Sequence, residues 1–379
     1  MGPLAGVRVI EIAGLGAAPY AGMLLADLGA DVIRVDRAGG GGGGFAIDPK
    51  SDVLNRNRRS IALNLKDPAG IEAVLRLIEG SDMLTEGFRP GVMERLGLGP
   101  DVCLARNPRL LYGRMTGWGQ EGPLAKTAGH DINYIALGGA LGMIRREDER
   151  PMFPLNLVGD MFGGMLLSYG LVCGLVEARA SGRGQVVDAA MLDGVASQLQ
   201  GMFTMRAAGF LNDVPGTNAV DSGSHFYGVY ECADGKHMAI GPVEPQFYAI
   251  LRERMGLTGD QWNAQMSPKA WPALKLELAD LFRTKPRDEW AAILDGTDAC
   301  ATPILSVTEI AAHPHNAARG TFMEADGILQ ASPAPRFSRT PGAVHRPPPT
   351  PGQHNEEVLR EAGYGDAEIA ALTAAPAKA

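Results

Sequence analysis

A histidine and an aspartate supply the most reactive side chains of this sequence. His130 lies beside an acid and an asparagine in the segment GHDINY, and Asp160 follows thirty residues later, where a helical pattern starts. Because histidine titrates near neutrality and a positioned carboxylate can take or return a proton, the two could act as an acid/base pair. The plainer alternatives are a helix N-cap for Asp160 and a surface or core position for His130.

A third carboxylate, Glu244, lies between Pro242 and Pro245 just after a predicted strand. This rigid setting could hold the carboxylate against an imidazole, although an exposed turn residue is the commoner outcome. His313 and His315 offer two imidazoles, but no acidic or sulfur ligands stand near them, and the four cysteines form no C-x-x-C pair. The sequence therefore predicts neither a metal site nor a cofactor.

The turn after the first apolar run is the first candidate for phosphate binding. It contains Gly14 and Gly16, with Asp36 about twenty residues later, as in a dinucleotide-binding fingerprint. Pro19 replaces the third glycine of that fingerprint and lacks an amide donor. A plain strand-to-helix turn is therefore favoured over a nicotinamide site.

A cluster of arginines is the second candidate for phosphate binding. The cluster consists of Arg56, Arg58 and Arg59, with Arg34 and Arg37 at a strand end and Lys66 nearby, and these residues flank predicted strand ends. Arginine offers paired donors that match phosphate oxygens, so the cluster could form a cationic pocket. The alternative is an ordinary solvated face.

The elements that must position these residues alternate between strands and helices. An apolar run at 7–12, a helical pattern at 20–28 and a second apolar run at 32–35 predict a βαβ unit with a parallel sheet. The rhythm continues with a strand, a helix and two more strands, at 60–65, 68–78, 83–84 and 110–112. The pattern is typical of an α/β fold.

Later segments have a different character. Residues 226–240 predict a β-hairpin, followed by helices to about Leu294.

Two segments predict connections between elements. The glycine run 39–44, near the start of the chain, predicts a mobile loop. Residues 346–352 predict a stiff linker, and Asn355 is expected to cap a C-terminal helix.

Composition narrows the classes of function. The chain has 379 residues, of which 45% are hydrophobic and 21% charged, and its formal charge of −8 disfavours nucleic-acid binding. The longest uncharged apolar stretch, 161–176, is too short for a confident membrane span. Without a secretory leader or a peroxisomal tail, the expected location is the cytoplasm.

The ordered motifs of the chain resemble the class III CoA-transferase superfamily, and within it the α-methylacyl-CoA racemases. The resemblance runs from Leu4 to about Tyr364 and is carried by the blocks RNRRS, EGFRPGVMERLGLG, RMTGWGQEGP, GHDINY, PLNLVGD, GRGQVVDAAMLDG, YECADGKHMAIG, VEPQFY, APRFSRTPG and PGQHNEEVL. Transferases of this superfamily use an aspartate nucleophile that falls at Asp160. The histidine of GHDINY and the glutamate of VEPQFY are racemase features.

The resemblance implies an α/β fold in an interlocked homodimer, in which each chain threads through the other. It implies a large Rossmann-like CoA-binding domain made of residues 1–185 and 330–379, and a small α+β domain at 228–308. Linkers are expected at 186–227 and 309–329. Neither a nucleic acid nor a membrane is an expected partner.

The ligand implied by the resemblance is an acyl-CoA thioester, with Arg37 and Arg95 directed toward its phosphates. The residues expected around the adenosine, the pantetheine arm and the thioester are, in that order, Leu63, Asn64, Leu65 and Lys66; Gly87, Phe88 and Arg89; and Gly129, His130, Asp131, Ile132, Asn133 and Tyr134. Met191, Met202 and Met205 would carry the acyl tail, or else fill a dimer core.

The reaction implied is that of an isomerase, a 1,1-proton transfer that interconverts (R)- and (S)-2-methylacyl-CoA through an enolate. His130, oriented by Glu244, would remove the α-proton on one face, and Asp160 would supply a proton on the other. Backbone amides of the helix after Asp160 are expected to stabilise the enolate oxygen. Two alternatives remain open: a CoA-transferase in which Asp160 attacks the thioester, and an acyl-CoA-binding dimer without catalysis.

Overall fold

The chain divides into two compact units in the computed structural model, which describes residues 2–39, 47–146 and 149–373. The first unit comprises Met1–Gly138, Leu155–Ser197 and His315–Ala379, and the second Gly139–Pro154 and Gln198–Pro314. Residues 40–44 of the predicted glycine loop lie outside the described part. The predicted domain boundaries divide the chain differently and stay a prediction.

The strands of the described residues are, in chain order, β1 (Arg8–Ile12), β2 (Asp31–Arg37), β3 (Arg58–Leu63), β4 (Met83–Glu86), β5 (Leu111–Thr116), β6 (Gln185–Ala190), β7 (Gly228–Glu231), β8 (His237–Ile240), β9 (Ala301–Pro303), β10 (Phe322–Ala325) and β11 (Ile328–Ala331). Six of them form a wholly parallel sheet in the order β3-β2-β1-β4-β5-β6, which is the Rossmann order. The predicted parallel sheet is confirmed. The β10-β11 hairpin begins within 309–329, which the sequence predicts as a linker.

The helices are α1 (Ala17–Asp27), α2 (Pro68–Glu79), α3 (Val92–Arg95), α4 (Pro100–Arg106), α5 (Asp131–Leu137), α6 (Ala140–Met143), α7 (Phe162–Ser181), α8 (Met191–Gln198), α9 (Gln200–Ala207), α10 (Pro245–Met255), α11 (Trp271–Phe282), α12 (Arg287–Leu294), α13 (Pro314–Arg319), α14 (Asn355–Glu361) and α15 (Asp366–Thr373). Short 3₁₀ turns lie at Pro49–Ser51, Val53–Asn55 and Asp260–Ala264, and a π turn, Leu157–Met161, leads into α7. Helix α2 begins as its sequence predicts, because the Asp67 carboxylate accepts the Ala69 N–H at 2.9 Å.

The central strands of the first unit's sheet are buried on both faces, which explains the apolar runs in β1 and β2. On one face Ile10, Ile33 and Ile61 join a core that includes residues of α2 and α14. On the other face Val9 and Val32 join a core built with α1 and α7. The helices therefore cover the sheet and leave its strand ends to form the site.

The arginine cluster is internal and not a phosphate pocket. Arg58 and Glu11 are both fully buried, and Arg58 Nε donates to Glu11 Oε2 at 3.0 Å. Arg34 Nη1 donates to the other Glu11 oxygen at 3.3 Å, and Arg56 is bound to buried Asp27. The interpretation of these arginines as a phosphate site or a solvated face is wrong, because carboxylates of neighbouring elements occupy their guanidinium groups.

The C-terminal segment covers the edge of the sheet at β3. The Asn57 N–H donates to the Arg346 carbonyl at 3.0 Å, the Ser60 N–H to His354 Nδ1 at 3.0 Å, and the Ala62 N–H to Asn355 Oδ1 at 2.8 Å. The expectation that Asn355 caps the last helices is wrong, since His354 occupies the cap position of α14. The side chain of Asn355 instead satisfies an edge-strand amide.

The second unit contains a three-stranded antiparallel sheet in the order β7-β8-β9. The hairpin predicted at 226–240 is confirmed, with Val229 opposite Ala239. Aromatic side chains dominate its core, and Tyr230 stacks on Phe282 with ring centroids 5.0 Å apart. This unit carries Glu244 at the N-cap of α10.

The sequence predicts no membrane span, yet the first unit contains a long apolar helix. Leu157–Ser181 is long and apolar enough to cross a membrane by length and composition alone, with a mean hydropathy of 1.5. Of the most apolar 18-residue stretch within it, to which this hydropathy refers, 44% is buried, and Leu167, Leu171 and Leu175 join the core beside β5. A core helix of a globular unit passes the same test of composition, so the helix is weak evidence for a membrane.

The buried ion pair of Glu11 and Arg58 leaves no room for a side chain at Gly22 of α1. A Cβ on Gly22 would overlap the Glu11 carboxylate and lie 2.5 Å from Arg58 Nη2. We expect Gly22→Ala to lower the free energy of unfolding by at least ~3 kcal/mol, because breaking a buried pair leaves uncompensated charge. Urea denaturation followed by circular dichroism measures this change. Gly80→Ala in the same unit, where the new methyl meets open space, should stay within about 0.5 kcal/mol of the parent; equal losses in both variants would refute the argument.

Candidate active site

The candidate site lies at the carboxyl ends of the parallel strands. Strands β1 and β4 are neighbours, with Ile10 beside Leu84, yet the chain leaves them toward opposite halves of the sheet. Such a switch point leaves a crevice in which ligands of Rossmann-type sheets bind. Residues 14–16 follow β1 and residues 87–89 follow β4, so both loops border this crevice.

Asp160 lies against the start of α1 at this crevice. Gly16 has a φ of +69°, and a Cβ built on it would lie 3.4 Å from Asp160 Oδ2. On the next turn, a Cβ on Gly164 would overlap the carbonyl of Ala17. Close approach of α1 and α7 through these glycines therefore holds the Asp160 carboxyl beside the first turn of α1.

The π turn presents the Asp160 side chain. Asp160 is its fourth residue and half-buried, and Asn156 Nδ2 donates to Asp160 Oδ2 at 3.3 Å. The preceding Leu155 has a φ of +55°, a left-handed conformation that is unfavourable for a branched side chain. The alternative that Asp160 is only a helix N-cap is wrong, because Asn156 occupies the cap position of the turn.

Burial raises the pKa of Asp160, and the nearby charge of Asp131 acts in the same direction. The hydrogen bond from Asn156 and the charge of His130 lower the pKa of the same carboxyl, but the net shift is upward. A carboxyl group with a raised pKa holds a proton at higher pH than an exposed aspartate does. The environment thus supports an acid/base role more than a permanently ionised one.

His130 stands exposed at the N-cap of α5, and its backbone N–H donates to Asn133 Oδ1 at 3.0 Å. It is close enough to Asp160 for its charge to act on that carboxyl. The structure therefore brings together the two residues that the sequence singled out. Ile132, in the first turn of α5, is also exposed.

Tyr134 anchors α5 beside the loop that follows β5. Its ring meets Trp118 edge to face, with centroids 4.8 Å apart, and a Cβ on Gly117 would overlap it. Burial, with the charge of Asp160 adding to it, raises the pKa of Tyr134 to about 12. Tyr134 is therefore a neutral, fixed wall of the site at neutral pH.

The side chain of Asp131 is directed toward the π turn. Its Oδ2 accepts the N–H of Gly159 at 2.7 Å and that of Asp160 at 2.8 Å. The amides of Met161 and Phe162 donate to carbonyls of the same π turn. The amides at 159–162 thus already have acceptors, and stabilisation of an enolate oxygen by backbone amides of the helix after Asp160 stays a prediction.

The residues expected to bind CoA line the same edge of the sheet. Arg37 and Leu63 are register partners at the carboxyl ends of β2 and β3. Beyond them lies an open groove of about 490 Å³, lined by Leu65, Lys66, Pro68, Ile71, Glu72, Arg95 and Leu96. The exposed cations Lys66 and Arg95 thus share one groove with apolar surface, while Asn64, half-buried, precedes it.

The loop 87–89, which is expected to receive the pantetheine arm, is held by a buried ion pair that the sequence does not predict. Glu86 is fully buried; its Oε2 accepts the Phe88 N–H at 2.7 Å, and its Oε1 accepts Arg114 Nε at 3.0 Å. Arg114 in turn donates to Glu94 Oε1 at 2.8 Å, on the helix that carries Arg95. Gly87 and Arg89 remain exposed.

Three of the predicted residues belong to the second unit. Glu244 is exposed in the second unit, and its contact with His130 stays a prediction. Met202 and Met205 are half-buried on α9, and their role with an acyl tail is likewise untested. Within the described residues, no group of three or more histidine, cysteine, aspartate or glutamate side chains is placed to hold a metal ion. Asn156, one helical turn before Asp160, is a site residue that its spacing alone could have indicated.

Known proteins resemble the chain over nearly its full length. The Alpha-methylacyl-CoA racemase of Mus musculus is 44% identical over 372 residues, covering 97% of this chain and 96% of that protein. The Homo sapiens protein of the same name is 42% identical over 371 residues, covering 97% and 95%. A solved structure of a CAIB/BAIF family protein from Brucella suis matches with a TM-score of 0.82 at 26% identity, covering 95% of this chain and 99% of that chain.

The resemblance inferred from the sequence motifs is confirmed by these matches and by a family model. That model, described as CoA-transferase family III, matches residues 4–355. The match takes in the strand ends, the segment GHDINY and the π turn with Asp160. The chain belongs to CoA-transferase family III.

Proposed function

We propose that the chain is an α-methylacyl-CoA racemase, which interconverts the (R) and (S) forms of 2-methylacyl-CoA thioesters. The observation that carries the proposal is the proximity of His130 to Asp160, a carboxyl whose pKa is raised by burial, at the switch point of the sheet. The names of the racemases from mouse and man support it. An acid/base pair of this kind suits proton transfer at carbon.

In the proposed reaction, one group removes the α-proton of the thioester and the other supplies a proton to the opposite face. In one direction neutral His130 accepts the proton and protonated Asp160 donates. In the reverse direction ionised Asp160 accepts and the imidazolium donates. Glu244 orients His130 in this proposal. The enolate oxygen must be met by groups other than the amides of residues 159–162, which are already engaged.

The CoA moiety lies along the carboxyl edge of the sheet in this proposal. Arg37, Lys66 and Arg95 are exposed cations suited to its phosphates, and the loop 87–89 receives the pantetheine arm. The buried arginines of the RNRRS motif take no part, since carboxylates bind them within the fold.

The active form is proposed to be an interlocked homodimer in the cytoplasm, with a large Rossmann-like domain and a small α+β domain in each chain. Large apolar side chains stand exposed on α7, among them Met165, Tyr169 and Val176. The second unit likewise exposes Phe203 and Phe210. Exposed apolar surface of this kind is typical of a protein interface.

We expect the purified protein to exchange the α-proton of a single 2-methylacyl-CoA enantiomer for deuterium in heavy water, with formation of the other enantiomer. His130→Ala and Asp160→Asn should each slow formation of the other enantiomer at least ~100-fold, because inversion needs one acid/base on each face of the α-carbon. Proton NMR of the α-position and of the 2-methyl group measures both events. No carboxylate acceptor is added, so that CoA transfer cannot contribute.

The matched controls are His315→Ala and Asp101→Asn, the same changes at exposed positions of the first unit, which should leave the exchange unchanged. If the wild type shows no exchange, and His130→Ala still moves CoA to an added carboxylate, the racemase proposal is wrong. Asp160 would then be the nucleophile of a transferase.

The double variant Lys66→Ala/Arg95→Ala should raise KM for the acyl-CoA about tenfold and leave kcat unchanged. Both side chains are exposed cations of one groove, and contacts to a distant phosphate stabilise ground and transition states alike. Initial rates over a range of acyl-CoA concentrations give the two constants. Arg109→Ala/Arg319→Ala, which removes two exposed cations outside the groove, is the control. A fall in kcat with constant KM would contradict this placement of CoA.

A further inference from the structure

Asp131 is the one carboxylate of the site that the proposed reaction leaves without a task. Its side chain is 5% exposed, although its neighbours His130 and Ile132 face solvent. Its Oδ2 accepts two consecutive amides of the π turn, Gly159 N–H at 2.7 Å and Asp160 N–H at 2.8 Å. The first residue of α5 thus fixes the backbone that carries Asp160.

The fit between Asp131 and the π turn is close. A Cβ on Gly159 would lie 2.5 Å from Asp131 Oδ2, so only glycine allows the two amides to converge on one oxygen. The other oxygen, Oδ1, is buried and, among the described residues, has no hydrogen-bond partner. A buried acceptor without a partner costs free energy. The two hydrogen bonds to Oδ2 therefore do not explain why residue 131 is a charged carboxylate, whose Oδ1 has no partner among the described residues.

We propose that Asp131 is a positioning residue for Asp160, which fixes the π turn through two hydrogen bonds and, by its negative charge, keeps the Asp160 carboxyl in a proton-holding state. The inference rests on the proposed racemase function, in which Asp160 must donate a proton as well as accept one. A second negative charge beside a carboxylate disfavours its ionised form. Asp131 therefore supplies both geometry and electrostatics.

The other groups around Asp160 do not remove this effect. From α5, His130 lowers the pKa of Asp160, and Tyr134 stays neutral because burial raises its own pKa to about 12. Arg89, after β4, is near enough to act on Tyr134, whereas Asn156 is uncharged and Gly16 presents only backbone. Asp131 is the negative charge that acts on Asp160, and it raises the pKa of that carboxyl. Removing this charge must therefore lower the pKa of Asp160.

Two substitutions separate geometry from charge. Asp131→Asn keeps the shape and one oxygen that can accept both amides, but it removes the charge. Asp131→Ala removes the hydrogen bonds as well. Racemase activity should appear as pH rises and the carboxyl group of Asp160 loses its proton. In Asp131→Asn this acid limb of kcat/KM should move to lower pH by about one unit.

In Asp131→Ala, kcat should fall about a hundredfold, because the Asp160 backbone is no longer fixed. KM should change little in either variant, since no contact of the Asp131 side chain with substrate is invoked. Equal losses in the two variants, with an unmoved acid limb in Asp131→Asn, would mean that Asp131 is merely structural and would overturn the proposal. Thermal melts at pH 7 identify any variant that fails to fold.

A second measurement does not need racemase activity. A water-soluble carbodiimide reacts with protonated carboxyl groups, so the pH dependence of Asp160 labelling by an added amine, followed by peptide mass spectrometry, reports the protonation of Asp160. The labelling midpoint should also move to lower pH in Asp131→Asn. The control is Asp221→Asn in the second unit, where the carboxylate likewise accepts backbone amides, from Gly216 at 2.9 Å and Asn218 at 2.7 Å. That variant should not move the Asp160 midpoint.

The two measurements separate the proposals. If the wild type exchanges no α-proton but the labelling midpoint shifts in Asp131→Asn, the racemase function fails and the effect of Asp131 on Asp160 stands. If exchange proceeds and neither the acid limb nor the labelling midpoint shifts, the role of Asp131 fails and the racemase function stands.

Discussion

The buried ion pair of Glu11 and Arg58 is the constraint on which the site depends. Arg58 lies on β3 and Glu11 on β1, and the same guanidinium also donates to the carbonyl of Pro19 in the first turn of α1. One fully buried cation therefore ties two strands to the start of a helix. Breaking such a pair costs about 3–5 kcal/mol, because the remaining charge has no water to solvate it. The position of α1 is consequently well defined, and Gly16 at its start contacts Asp160.

Ion pairs within the fold also decide which cations are available to a ligand. Arg34, Arg56 and Arg59 are bound by Asp36, Asp27 and Asp31, so the basic motif stabilises the fold and does not offer donors to phosphate. Exposed Arg37, Lys66 and Arg95 remain at the carboxyl edge of the sheet. Along β2, Arg34 is paired with Glu11 and Asp36 in the interior network, whereas Arg37 is exposed at the strand end.

The sequence predicts much of the scaffold, because the periodicity of apolar residues is a local signal. The first βαβ unit and the hairpin at 226–240 were predicted within a few residues of their bounds. The ion pairs of Arg58 and Arg56 are not predicted by the sequence, because their partners Glu11 and Asp27 lie 47 and 29 positions away in the chain. Strand β6, Gln185–Ala190, was missed because its half-exposed, mixed sequence resembles a loop. The types of His130 and Asp160 indicated acid/base chemistry, but only the fold shows that α5 and the π turn bring them together.

The backbone amides of the π turn already have acceptors, and this affects how negative charge is stabilised in the proposed reaction. A turn with free amides would stabilise a negative charge beside Asp160, both on the carboxylate and on an enolate. Here Asp131 accepts two of those amides and adds a negative charge of its own. The local field therefore opposes accumulation of a second anion and favours a proton on Asp160. An enolate formed at this site would meet a ready proton donor on one face, so its reprotonation, more than its stabilisation by the π turn, is what the arrangement promotes.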